Sequence, residues 1–158
     1  LNTIFASRGN VETYLYNADL VVGAVLVAGG SAPKVITKDM LAKMKPHSVI
    51  VDVAIDQGGC CETSKATTHE DPTYVVDGVT HYCVANMPGA VPKTSSVALG
   101  NATLPFALSL ANLGYKEALK QNIHLRNGLN VYRGKVTYEA VAQALGYDYF
   151  PADEVLSK

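Results

Sequence analysis

The chain has 158 residues, 48% of them apolar and 17% charged, which excludes a disordered protein and is enough for one domain or one domain plus part of another. Its 13 basic and 14 acidic residues balance, so the composition does not predict a nucleic-acid-binding protein. The longest apolar stretch, residues 18–30, is short and broken by Asp19 and by glycines, so no membrane span is predicted there.

The first half of the chain predicts alternating helices and strands. A short helix is expected over residues 10–16, a Val-rich strand over 18–27, a helix capped by Thr37 over 38–44, and strands over 48–55 and 79–84. Continuous apolar runs of this kind are typical of strands buried on both faces of a parallel sheet. The Thr-rich residues 60–77 are expected to form a loop.

The second half predicts mostly helix. A long helix capped by Thr94 or Ser95 is expected to end near Gly114, and weak helix follows over residues 116–125. A small hairpin around Gly134 and a helix over 138–145 complete the chain. The alternation of strands and helices predicts an α/β fold with a parallel sheet.

The cysteines and the first residues give two further expectations. Cys60, Cys61 and Cys83 are odd in number and two are adjacent, which predicts free thiols in a reducing compartment and a cytoplasmic location. No CxxC or HExxH spacing occurs, so no metal site is predicted. The chain begins with Leu1 within an expected strand over residues 1–7, so we expect it to be part of a longer polypeptide.

Asp56 is the candidate catalytic residue on chemical grounds. It follows a predicted buried strand and precedes two glycines, and ligands of open parallel sheets bind at the carboxyl ends of the strands. Desolvation at such a position suits a carboxyl group to general acid–base chemistry. A turn or cap role for Asp56 is an equal alternative. Asp52, Ala54 and Asp56 are spaced two residues apart in the predicted strand, so Asp52 is expected to share a face with Asp56. Alternatively, the Asp52 side chain bonds the backbone of a loop.

Several long motifs closely resemble the alanine dehydrogenase family. They are ADLVVGAVLV at residues 18–27, VDVAIDQGG at 51–59, HYCVANMPGAVP at 81–92 and NATLP at 101–105. The resemblance covers about residues 17–149. It implies the second half of a doubly wound parallel, Rossmann-type sheet followed by a helical segment that returns to the substrate domain. On this basis residues 1–93 would complete an NAD-binding domain, and residues 94–158 would form a connecting helix and the end of the substrate domain.

The resemblance also implies a set of cofactor contacts. Asp56 matches the catalytic aspartate of the family, so the resemblance favours a catalytic role for this residue over a turn or cap role. The residues that match NAD contacts are Val25 and Leu26 on the adenosine side, Val53, Ala54, Ile55 and Asp56 beside the ribose and nicotinamide, Val84, Ala85, Asn86 and Met87 against the nicotinamide, and Lys65. The implied partners are NAD(H), L-alanine, pyruvate and ammonium, together with further copies of the chain, commonly in a hexamer.

The implied reaction is the reversible oxidative deamination of L-alanine. The glycine-rich pyrophosphate loop and the substrate-binding arginine, lysine and histidine of the family would lie upstream of Leu1. We therefore expect these 158 residues alone to bind NAD poorly and to be inactive. One departure from the family is His47, which stands where a glycine is usual after Pro46.

Two alternatives remain. The NAD-binding component of proton-translocating transhydrogenase shares the Lys-Pro and VIVD region, but the Asp56-Gln57 and Asn86-Met87-Pro88 strings fit alanine dehydrogenase better. A catalytically inactive fragment with a structural role is the second alternative.

Overall fold

A computed structural model describes residues 1–157, which divide into two compact units. Unit 1 comprises Leu1–Val27 and Ser31–Ala90, and unit 2 comprises Ala28–Gly30 and the residues from Val91 onward. Their assignment to parts of an NAD-binding and a substrate domain stays a prediction.

Unit 1 is built on a four-stranded, mostly parallel sheet. Its strands are β1 (Leu20–Gly23), β2 (Val49–Asp52), β3 (Thr73–Val76) and β4 (Val79–Tyr82), in the spatial order β1-β2-β4-β3. β1 and β4 both pair with β2 in parallel, whereas β3 pairs with β4 antiparallel. The predicted α/β class and the parallel pairing of the three apolar strands are confirmed.

The strands are shorter than their apolar runs suggest. β1 covers four residues of the predicted 18–27, and the expected strand over residues 1–7 does not form. Backbone groups in a strand need a neighbour to bond with. β1 is at the edge of the sheet, and its register with β2 ends at Gly23 opposite Asp52. The backbone after Gly23 therefore no longer pairs with β2.

Two short helices cover the sheet of unit 1. They are α1 (Arg8–Leu15), capped by Ser7, and α2 (Lys38–Leu41), whose Thr37 side chain accepts from the amide of Met40 as predicted. The core between helices and sheet contains Leu15, Ile36, Met40, Leu41, Met44, Ile50, Cys61 and Val79. Burial of this apolar cluster stabilises unit 1.

The hairpin formed by β3 and β4 was not predicted. β3 lies within the segment expected to be a loop, and Asp77 and Gly78 connect it to β4. Both turn residues have positive φ, 50° and 79°, which is the combination that a two-residue hairpin of type I′ requires. The Asp-Gly pair is a strong signal for such a hairpin, so the sequence did contain this information.

Unit 2 is largely helical. Its elements are α3 (Pro92–Gln121), α4 (Ile123–Arg126), β5 (Val131–Tyr132), β6 (Lys135–Val136), α5 (Glu139–Leu145) and α6 (Ala152–Leu156). Gly114 interrupts α3 with φ 72° and ψ 157°, which confirms the predicted stop at this residue, although a further helical stretch follows directly. The hairpin around Gly134 and the end of α5 at Gly146 are also as predicted.

By length and composition, α3 is the one helix among residues 1–157 that is able to cross a membrane. Soluble proteins contain helices that pass the same test, so this finding is weak evidence of a membrane protein. Most of its large apolar side chains are exposed in the described chain, among them Val97, Leu99, Leu104, Phe106 and Leu108. The predicted absence of a membrane partner stays a prediction.

Candidate functional site at the carboxyl edge of the sheet

Three strand ends come together at one edge of unit 1. Because β1, β2 and β4 are adjacent and parallel, their carboxyl ends are neighbours. The chain leaves β1 toward Val25, leaves β2 into a 3₁₀ helix (Val53–Gln57), and leaves β4 toward a second 3₁₀ helix (Met87–Ala90). These three exits carry all the predicted cofactor contacts except Lys65.

Asp52 holds the exit of β2 in place. Its side chain is fully buried and accepts hydrogen bonds from the amides of Ala54 (3.1 Å), Cys60 (2.8 Å) and Cys61 (3.3 Å) and from the hydroxyl of Ser64 (2.5 Å). The alternative that Asp52 bonds loop backbone is thus confirmed. One carboxylate fixes both the start of the 3₁₀ helix and the segment from residue 60 to 64.

Two glycines make room for this arrangement. A Cβ at Gly59 would lie 2.7 Å from Oδ2 of Asp52, and a Cβ at Gly23 would overlap the sulfur of Cys60. Burial and the neighbouring Asp52 raise the pKa of the Cys60 thiol to about 12. Cys60 is therefore an unreactive core thiol, and Cys60, Cys61 and Cys83 are free and buried, as predicted.

Asp56 lies on the 3₁₀ helix with its carboxyl group exposed. The desolvation that was expected for Asp56 is therefore absent among the described residues. Ala54 and Ile55 are buried, whereas Val53 is 47% exposed. The strand was expected to continue to residue 55, but it ends at Asp52, which breaks the alternation on which the shared face of Asp52 and Asp56 depended.

The exit of β1 lies against the exit of β2. Val25 packs against the buried cluster of Ala32, Ala54 and Cys60, while Leu26 is 76% exposed. Together with Val53, Leu26 gives this edge apolar side chains in contact with water, which favours the binding of an apolar or aromatic surface.

The exit of β4 is shaped by Asn86. Val84 is fully buried, Ala85 and Asn86 are exposed, and Met87 is partly buried. Asn86 has φ 60°, an unusual conformation for a residue other than glycine. Its carbonyl oxygen accepts from Nε2 of His69 (3.0 Å) and from the amide of Gly89 (2.9 Å), which stabilise this conformation.

Lys65 lies on the segment that runs beside the exit of β4. Its amide donates to the hydroxyl of Tyr74 (2.8 Å), that hydroxyl donates to the carbonyl of Thr63 (2.9 Å), and the Lys65 ammonium lies 4.5 Å from the centre of the Tyr74 ring. The Tyr74 ring in turn stacks on His81 at 4.9 Å. Burial lowers the pKa of His81 and raises that of Tyr74, so both are uncharged at neutral pH.

Sequence reasoning missed most of the residues that hold these segments. Lys34 donates to the carbonyls of Gly59 (2.8 Å) and Cys61 (3.3 Å), and the side chain of Gln57 bonds to the backbone of Val27. Neither contact has a local sequence signal, because the partners lie 24 or more residues apart. Within residues 1–157, no group of three or more His, Cys, Asp or Glu residues is arranged to hold a metal ion.

Residues 1–139 match the family described as alanine dehydrogenase/PNT, C-terminal domain. The match covers most of the chain and includes all three strand exits. The chain belongs to the alanine dehydrogenase/PNT family.

Curated relatives from this family are highly similar over almost the whole chain. Alanine dehydrogenase from Halomonas elongata is 58% identical over 156 residues, which is 99% of this chain and 42% of that relative. Alanine dehydrogenase 2 from Staphylococcus aureus is 55% identical over 157 residues, with the same coverage. The chain thus spans about two-fifths of the length of the relatives it matches.

Solved structures show the same fold. An L-alanine dehydrogenase superposes with a TM-score of 0.72 at 48% identity and covers 89% of this chain and 38% of its own. A transhydrogenase from Sinorhizobium meliloti superposes with a TM-score of 0.61 at 25% identity and covers 85% of this chain and 36% of its own. The Rossmann-type α/β fold of the alanine dehydrogenase/PNT family is therefore confirmed, and the similarity to transhydrogenase is more distant.

Proposed function

We propose that this chain acts within a longer polypeptide as the nicotinamide-binding part of an NAD-dependent L-alanine dehydrogenase. The observation that carries this proposal is 58% identity to an alanine dehydrogenase over 99% of the chain. The reaction would convert L-alanine, NAD⁺ and water into pyruvate, ammonium, NADH and a proton.

The carboxyl edge of the sheet fits a dinucleotide. Exposed Leu26 and Val53 offer apolar contacts to flat rings, and the amide of Asn86 offers polar ones. We propose that Val25 and Leu26 contact the adenosine side, that Val53 and Asp56 lie beside the ribose and nicotinamide, and that Ala85, Asn86 and Met87 contact the nicotinamide. Buried Ala54, Ile55 and Val84 would support these contacts from below. Lys65 would reach the cofactor from its place over Tyr74.

The bound cofactor would supply a hydride acceptor for the hydrogen on Cα of alanine. The residues of this chain would position the reactants and move protons. Asp56 would take a proton from the water that adds to the oxidised carbon and would orient the amino group before ammonia leaves. Asn86 and Met87 would fix the face of the nicotinamide so that the hydride donor and acceptor meet at contact distance.

Location and assembly belong to the proposal as well. The three free, buried cysteines support a cytoplasmic location. A homo-oligomer, with a hexamer as the expected state, would cover part of the exposed apolar surface of α3. The transhydrogenase alternative is less well supported, since that structure shares only 25% identity with the chain.

The test is Asp56→Asn in the full-length protein that carries these residues. We expect kcat for alanine oxidation to fall at least about 100-fold, because general acid–base groups contribute that much. NADH binding, followed by nucleotide fluorescence, is expected to change little, because asparagine has the size of aspartate and keeps the packing beside the ribose and nicotinamide. The matched control is Asp19→Asn, which changes an exposed carboxylate that precedes β1 at the opposite edge of the sheet. Unchanged deamination in Asp56→Asn would refute the catalytic role.

A further inference from the structure

Gln57 joins two of the three strand exits. Its side-chain Nε2 donates to the carbonyl oxygen of Val27 (2.8 Å), and its Oε1 accepts from the amide of Val27 (3.1 Å). Its own carbonyl accepts from the amide of Ala32 (2.9 Å). Residue 57 is thus bonded to the chain that leaves β1 at two points, although 30 residues separate it from Val27.

The bonds to Val27 require an amide side chain. A carboxylate has no donor and an ammonium has no acceptor, whereas the carboxamide of glutamine supplies both in one plane. The pair of bonds resembles the pairing of two strand residues. It connects β1 and β2 beyond Gly23 and Asp52, where their backbone register ends. Gln57 therefore replaces missing strand pairing between the two exits.

The two segments joined by Gln57 carry different parts of the candidate site. Val25 and Leu26 immediately precede Val27, and Asp56 immediately precedes Gln57. A dinucleotide that extends along this edge would contact both segments at once. The distance between them therefore determines whether both halves of the ligand can be bound together.

We infer that Gln57 is a positioning residue that sets the distance between the Val25–Val27 segment and Asp56 for dinucleotide binding. The inference rests on the proposed function, because it assigns the same edge to NAD. Gln57 acts through Val27 and Asp56, and no direct contact with the ligand is required.

The experiment compares Gln57→Ala and Gln57→Glu in the full-length protein. Dissociation constants for NADH are measured by fluorescence titration, and KM for NAD, KM for alanine and kcat are measured separately. Loss of two hydrogen bonds is expected to weaken NADH binding by about 10-fold in Gln57→Ala. KM for NAD should rise with it, while KM for alanine changes less than about 2-fold.

Gln57→Glu tests whether the donor is needed. It has the size of glutamine and keeps the acceptor for the amide of Val27, but it places a second oxygen against the carbonyl of that residue. We expect it to bind NADH as weakly as Gln57→Ala. The matched control is Gln143→Ala, since Gln143 is an exposed residue of α5 whose side-chain amide donates to the neighbouring Glu139 carboxylate (3.3 Å). Its NADH affinity should match that of the wild type.

Several outcomes would overturn the inference. They are wild-type NADH affinity in either Gln57 variant, or an equal rise of both KM values with a lower melting temperature, which a purely structural role would produce. A wild-type protein that binds NADH but does not oxidise alanine would contradict the proposed substrate. The 10-fold ratio of dissociation constants would in that case still support the role of Gln57.

Discussion

Asp52 and Asp56 lie four residues apart and have opposite environments. Asp52 is buried and both of its oxygens accept hydrogen bonds, whereas Asp56 is exposed at the edge of the sheet. The donors to Asp52 are backbone amides, a thiol and a hydroxyl, so their orientation depends on this one carboxylate. Asp52 stabilises the turn after β2 by accepting these hydrogen bonds. Asp56, which is exposed, is accessible to a ligand.

Asp52→Asn should therefore destabilise the protein strongly. An amide nitrogen in place of one oxygen would face donors instead of accepting from them, and a buried unsatisfied group of this kind costs about 2–3 kcal/mol of unfolding free energy. Urea unfolding followed by circular dichroism measures the loss. Asp19→Asn makes the same chemical change in an exposed ion pair with Lys45 and should cost less than about 1 kcal/mol. Equal losses in the two variants would contradict the role assigned to Asp52.

At the scale of elements, two turns meet where β2 and β4 begin. His47 precedes β2, and its amide donates to the carbonyl of Gly78 (2.8 Å) in the turn before β4. Both residues have positive φ, 66° for His47 and 79° for Gly78. Only Gly78 has the residue type that adopts this conformation without strain. The departure from the usual glycine at position 47 therefore has a structural cost.

His47→Gly is expected to stabilise unit 1. It removes the steric cost of a left-handed conformation at an exposed residue and should raise the unfolding free energy by up to about 1 kcal/mol. The reciprocal variant Gly78→Ala places a Cβ at the same kind of position and should lower it by about 1 kcal/mol. Both changes are measured as shifts of the urea midpoint. The strain argument would be wrong if His47→Gly lowered that midpoint.

At the scale of the whole molecule, the chain corresponds to only part of the length of its relatives. It spans about 42% of the length of its curated relatives, and the contacts proposed at the three strand exits account for only part of a dinucleotide site. The edge strand β1 exposes Leu20 and Val22, and α3 exposes a series of apolar residues. Exposed apolar surfaces of this kind are typical of regions that another polypeptide segment or another subunit covers.

The 158-residue polypeptide alone is accordingly expected to produce no NADH from alanine and NAD. Its dissociation constant for NADH should be at least about 10-fold weaker than that of the full-length protein, because each part of a ligand site contributes to affinity. Absorbance of NADH measures the first quantity and fluorescence titration the second. Alanine-dependent NADH formation by the short polypeptide would contradict this expectation.

Local sequence patterns predicted much of the fold. Val-rich runs predicted β1, β2 and β4, the Thr37 cap predicted the start of α2, and glycine predicted the break in α3 and the end of α5. Strand limits were less well predicted, because they depend on where a neighbour is available for pairing. β3 was missed although Asp77-Gly78 is a recognisable hairpin turn.

The amino-acid sequence alone was sufficient for the α/β class, the parallel strands, the family and the position of Asp56 after β2. These follow from residue order and from motifs that are contiguous in the chain. Tertiary structure alone showed that Asp52 is buried and Asp56 exposed, and that Gln57 bonds to Val27. The physical reason is that burial and hydrogen bonding depend on partners brought close by folding, and here those partners lie up to 30 residues away.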